Sequence, residues 1–268
     1  MKIKRKPICV LPSALALALA LLLSGCSAGS AVDRDLVYED LQESFARSGL
    51  LSANIGIFSE TVEADTVSYG ECGSGVIFKR DGGTYYALTA SHVVSNENAR
   101  HLVFTVNTDM KTEPLPGVDG VDLLSQDVYE SMYPAETVYV SQRDDLAVIR
   151  FFAEEDLSVI EIAPSDPQWG DHILCVGNPQ NEWFAVSYGS VTSGVELYGE
   201  SEGYPSHAMR HSAYMQMGSS GGAAIGQQMQ LVGITPGAFL SPDGKTVKYG
   251  VLIPAGEINL CLAEWGGA

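Results

Sequence analysis

Three short stretches hold the residue types of nucleophilic catalysis. Leu88-Thr89-Ala90-Ser91-His92-Val93-Val94 ends an apolar run on a histidine, and Asp144-Asp145-Leu146-Ala147-Val148-Ile149 opens one on an acid. Met217-Gly218-Ser219-Ser220-Gly221-Gly222 sets a serine in a glycine-rich turn. A serine hydroxyl is a weak nucleophile until an adjacent base takes its proton, and that base needs an acid to hold its tautomer. The glycines suit the same chemistry. A tight turn must expose Ser220 Oγ and aim the N–H groups of Gly218 and Ser220 at one point, where an oxyanion forms. Taken singly, the stretches read as a core histidine, a turn aspartate and a flexible loop. Their order, His92 then Asp145 then Ser220 at separations of 53 and 75 residues, points to acyl transfer.

Such residues need rigid elements on either side. From Asp35 to Arg47 the apolar Val37, Leu41 and Phe45 recur every four positions, which predicts an amphipathic helix ending near Gly49. Beyond it the pattern turns to short β-branched and aromatic runs. They are Gly75–Phe78, Thr84–Leu88, Leu102–Val106, Leu146–Ile149, Ile173–Val176, Phe184–Tyr188, Leu231–Ile234 and Val247–Ile253. Many short strands separated by turn residues predict an all-β sandwich or barrel. Residues 107–135, with Pro114, Pro116, Gly117 and Gly120, read as a loop-like insertion, and Pro254 to Trp265 as a closing helix.

The 268 residues are 46% hydrophobic and only 18% charged, which excludes a disordered chain, and they carry a net charge of −18. So acidic a chain is also a poor partner for nucleic acid. The charged residues of the first 25 are all basic (Lys2, Lys4, Arg5 and Lys6), and the Leu/Ala run Leu11 to Leu23 follows. That is the pattern of a secretory signal peptide. Its exit, Leu23-Ser24-Gly25-Cys26, resembles the bacterial lipobox, which implies cleavage after residue 25 and lipidation of Cys26. Cleavage near Ser27 to Ala31, or an uncleaved anchor, are the other readings. A lipid-tethered domain outside the cytoplasm is expected. Of five cysteines, Cys72, Cys175 and Cys261 remain, an odd number that cannot pair fully within one chain. Neither they nor the five histidines have metal-ligand spacing, so no metal and no cofactor are expected. His101, His172, His207 and His211 read as structural or surface residues.

From about Gly73 to Glu264 the chain resembles the chymotrypsin-like serine peptidases, and within them the HtrA/Deg-type trypsin-like domain. The resemblance rests on Gly73-Ser74-Gly75-Val76-Ile77, on Thr89 to Val94, and on Asp145-Leu146-Ala147-Val148. It continues through Gly170-Asp171, Val176-Gly177-Asn178-Pro179 and Gly189 to Gly194. Gly218-Ser219-Ser220-Gly221-Gly222 matches the G-x-S-G-G motif, and Leu231 to Ile234 and Gly250 to Pro254 match the strands that follow.

The resemblance implies two packed six-stranded antiparallel β-barrels, the first over about 51–155 and the second over about 156–255. It implies a triad of His92, Asp145 and Ser220 in the cleft between them, with Asp145 rather than Asp144 as the acid. It also implies an oxyanion hole from Gly218 and Ser220, and polypeptide substrates. Ser219 stands where trypsin-type zymogens carry an aspartate, so activation through that ion pair is not expected. Val93 replaces the usual cysteine, which leaves Cys72 without that disulfide partner. The chain ends soon after the closing helix, so no PDZ domain is expected. Tyr214, Met215 and Met217 should line the primary pocket opposite Thr235, Pro236, Gly237 and Ala238, and a medium-sized aliphatic side chain would fit there. Two rivals remain: a latent fold of this kind acting as a binding or sensing module, and a solute-binding lipoprotein.

Overall fold

The computed structural model describes residues 34–64, 66–70, 72–114, 122–197, 205–241 and 246–267. The expected signal peptide, the lipobox and Cys26 lie outside them, as do Pro116, Gly117 and Gly120. Residues 37–268 form one compact unit. Among the described residues no helix is long and apolar enough to cross a membrane.

Helix α1 (Arg34–Ser48) buries Leu41 and Phe45, two of the three residues whose four-residue spacing predicts it. Gly49, at φ 73°, ends it in the left-handed conformation that glycine adopts without cost. The first barrel follows. Its strands are β1 (Asn54–Glu63), β2 (Thr66–Tyr69), β3 (Gly73–Asp81), β4 (Thr84–Ala90) and β5 (Arg100–Phe104). An excursion through β6 (Thr112–Pro114), β7 (Asp122–Leu124) and helix α2 (Gln126–Ser131) precedes β8 (Tyr133–Ser141) and β9 (Leu146–Phe152). The order β1-β3-β4-β9-β8-β5 closes on itself because β5 pairs with β1, and β2 extends the far half of β1. Alternate residues fill the interior: Ile55 and Ile57 from β1, Tyr85 and Ala87 from β4, Ala147, Ile149 and Phe151 from β9.

The second sheet holds β10 (His172–Gly177), β11 (Ala185–Ser190), β12 (Glu196–Leu197), β13 (His207–His211), β14 (Gly222–Gly226), β15 (Leu231–Leu240) and β16 (Val247–Pro254). Its order is β11-β10-β14-β15-β16-β13-β12. Six of these strands curl until β11 meets β13, through a bridge of Val191 with His211 and flanking bonds from Thr192 N to Arg210 O and Ser212 N to Ser190 O. This second barrel closes more loosely than the first. The outer faces of β3, β4 and β9 (Val76, Leu88, Leu146, Val148) pack on Leu174, Val176, Ala223, Ile225 and Ile234 of the second sheet. Helix α3 (Ala255–Trp265) adds Ile258, Cys261 and Leu262 to that core. Each such fully buried aliphatic contributes about 1.5–3 kcal/mol, so the two barrels are held as one body.

The fold is the expected pair of antiparallel barrels with a helix at each end. One local expectation is corrected: 107–135 is not simply a loop. It carries the β6–β7 pair, the α2 turn around buried Val128, and the start of β8. Cys72, Cys175 and Cys261 are buried free thiols, each pushed up to about 12 by burial.

Candidate active site

His92 sits on a single 3-10 turn, Ser91–Val94, that directly follows β4. The strand brings its apolar side chains into the barrel wall, and the turn leaves the imidazole half exposed at the rim. Asp145 occupies the tight connection from β8 to β9, with φ at +49°, a region that Asp tolerates better than most residues. β4 and β9 are neighbours in register, Ala90 opposite Leu146, so the two chain ends meet. His92 Nδ1 lies 2.8 Å from Asp145 Oδ2 and 3.1 Å from Oδ1. Oδ1 also accepts from Ser91 Oγ at 2.8 Å and from His92 N at 3.0 Å. An acceptor-only carboxylate on Nδ1 holds the proton there and leaves Nε2 free to take one.

Asp144, next in sequence, turns the other way. It is 1% exposed, bound by Arg143 at 2.8 Å, Ser206 Oγ at 2.6 Å and Ser141 Oγ at 2.8 Å. Burial opposes its ionisation, but these hydrogen bonds outweigh it and lower the carboxyl to about 2. Asp144, His207 and Glu257 each offer one ligand atom within 4.8 Å of the others. Arg143 already neutralises Asp144, and Ser206 Oγ bridges Asp144 to His207 Nδ1, so the group is a satisfied polar network.

Ser220 lies in the turn before β14, and its carbonyl accepts from Ser74 N at the start of β3. Gly221, at φ +85°, packs so closely that a Cβ there would lie 2.2 Å from Ser74 O and 2.9 Å from Ala90 N. The residue after Ser220 is therefore pressed on the end of the strand that carries His92. Among the described residues Ser220 Oγ has no hydrogen-bond partner, His92 included. The turn consumes the N–H groups of Ser219, Gly221 and Gly222, which go to Gln216 O, Thr235 O and Ser219 O. Those of Met217, Gly218 and Ser220 have no acceptor among the described residues, and of these Gly218 and Ser220 flank Ser219. Met217 O accepts from Gln180 N at 2.8 Å, so across the planar trans peptide Gly218 N–H faces the opposite way. Two free donors two residues apart suit an oxyanion.

Tyr214, Met215 and Thr235 line a cavity of about 90 Å³ with Val176, Ala185 and Val186. Pro236, Gly237 and Ala238 continue along β15 without lining it, and Met217 is 64% exposed. Glu182 stands on the wall, an acid that the sequence reading did not place. Ser91 and Gln180 were also missed. Ser91 lies inside the histidine motif, and Gln180 directly follows the Gly177-Asn178-Pro179 segment.

With this geometry established, comparison with known proteins assigns the chain. Residues 73–234 match the profile of the trypsin-like peptidase domain. The chain belongs to that family. The trypsin-like peptidase domain here is also similar to curated proteins. It is 30% identical over 72% of its length to a probable serine protease do-like of Buchnera aphidicola from Acyrthosiphon pisum. It is 29% identical over 70% to a probable periplasmic serine endoprotease DegP-like of Buchnera from Schizaphis graminum. It is 28% identical over 75% to a serine protease HtrA-like of Staphylococcus aureus. The matches cover 35%, 34% and 24% of those proteins, so the chain spans about a third or less of their length.

Proposed function

We propose that the chain is a serine endopeptidase that cleaves exported or misfolded polypeptides outside the cytoplasm. The observation that carries this is the bonded pair His92–Asp145 beside a turn in which the N–H groups of Gly218 and Ser220 have no acceptor among the described residues. Ser220 Oγ attacks the peptide carbonyl while His92 Nε2 takes its proton. Asp145 keeps Nδ1 protonated and stabilises the imidazolium. Gly218 and Ser220 N–H receive the oxyanion. His92 then gives its proton to the leaving amine, and a water that it activates hydrolyses the acyl-enzyme.

Residues 1–25 would direct export, Cys26 would carry lipid, and 26–50 would tether a catalytic domain of residues 51–268. The periplasmic name of a relative and the basic-then-apolar N-terminus support that placement. The uncharged Tyr214, Met215 and Thr235 favour a medium-sized aliphatic residue at the cleaved position, with Glu182 an exposed acid on the cavity wall.

Digestion of unfolded casein by the full chain in detergent, with the ends mapped by mass spectrometry, tests the reading. Cleavage that needs Ser220 and follows Val, Ala or Leu supports it. Cleavage after Arg alone overturns the specificity, and no cleavage by a folded chain points to the latent binding module.

A further inference from the structure

The Gly218 N–H carries half of the proposed oxyanion hole, yet glycine at φ +95° is the residue most free to turn away. Something must hold it. Ser74, on β3 of the first barrel and 1% exposed, is placed to do so. Its hydroxyl donates to Gly218 O at 2.7 Å and accepts from Asn178 N at 3.0 Å and Asn178 Nδ2 at 3.1 Å. A hydroxyl has one proton and two lone-pair sites, so this one is saturated. The Ser74 N–H in turn binds Ser220 O at 2.8 Å. One residue of the first barrel thus holds the carbonyls on both sides of Ser219.

The peptide planes that flank Gly218 are both anchored, one through Met217 O by Gln180 N and one through Gly218 O by Ser74 Oγ. Asn178 braces the hydroxyl, and its own Oδ1 accepts from Phe184 N at 2.9 Å. A Cβ at Gly177 would lie 3.1 Å from Ser219 Cα and 3.3 Å from Ser74 Oγ, which shows how tightly β10 closes over this point. We infer that Ser74 is a positioning residue for the oxyanion hole: its hydroxyl fixes the Gly218–Ser219 plane, and with Gln180 N holding the Met217–Gly218 plane that carries the N–H, it keeps the Gly218 backbone from turning that N–H away from the developing charge. The inference rests on the proposed peptidase function.

The test uses the full chain with a peptide substrate and a peptide boronic acid, whose Ser220 adduct is tetrahedral. Ser74→Ala should lower kcat about 10- to 100-fold, leave KM within about twofold, and weaken the boronate by the same factor as kcat/KM. The pH dependence set by His92 should not move. A folded Ser74→Ala with kcat and boronate affinity unchanged overturns the inference. Should that variant fail to fold, Ser74→Cys keeps the size with a weak donor and carries the same expectation. If the wild-type chain neither turns over substrate nor binds boronate, the proposed function fails instead. The clamp is then decided by the Gly218 amide in ¹⁵N-glycine-labelled protein. Its resonance and solvent exchange change in Ser74→Ala or Ser74→Cys if the clamp exists, and stay put if it does not.

Discussion

Asp145 Oδ2 lies 2.8 Å from His92 Nδ1, although 53 positions separate the two residues in the chain. Pairing of β4 with β9 makes that contact, and two further donors, Ser91 Oγ and His92 N, fix the carboxylate from the other side. The acid is thus oriented before any substrate arrives.

Asp145→Asn keeps the size but offers an N–H to Nδ1, which moves the imidazole proton to Nε2. Hydrolysis should fall on the order of 10⁴-fold in kcat with KM little changed. Steady-state kinetics on a peptide ester checks this, and a loss under tenfold contradicts the assigned role.

Gly221→Ala places a methyl 2.2 Å from Ser74 O and 2.3 Å from Thr89 Oγ1, at a φ that disfavours any side chain. Stability should drop by about 3 kcal/mol or more, together with activity. Urea denaturation of the folded fraction measures it.

His211 is wholly buried, and its ring lies against Gly250, where a Cβ would be 2.2 Å from Nε2. Burial lowers its pKa from 6.5 to about 4; the Val251 backbone opposes this but falls short of hydrogen-bond geometry. As pH falls below 6.5 the unfolded chain binds a proton that the folded chain refuses, until about 4. The stability present above 6.5 is therefore lost across that window, by about 3 kcal/mol from this group. Because neither ring nitrogen has a partner among the described residues, His211→Phe should keep stability at neutral pH and flatten that part of the acid slope. Denaturant midpoints at pH 7, 5.5 and 4 decide it.

Much of this was legible in the sequence because the signals are local. Short β-branched and aromatic runs announced β4, β9, β10 and β15, and the glycines around Ser220 announced a tight turn. Segment 107–135 was opaque because α2 has six residues around one buried apolar side chain, Val128, too few to show a period. Ser74 and Asn178 stand inside quoted motifs, but their role in the turn was opaque for another reason. Both are small polar residues whose importance comes from burial between barrels, and the bond joining them spans 104 positions. The two aspartates divide by direction, Asp145 toward His92 and Asp144 toward Arg143 and Ser206, and no property of an Asp-Asp pair alone records that.

The most direct measurement is covalent labelling of the full chain by a fluorophosphonate, beside Ser220→Ala and His92→Ala. An activated serine forms a phosphonyl ester with loss of fluoride, so the account predicts labelling of the wild-type chain on Ser220 and little or none in either variant. A folded wild-type chain that stays unlabelled, or labelling that survives His92→Ala, would contradict it.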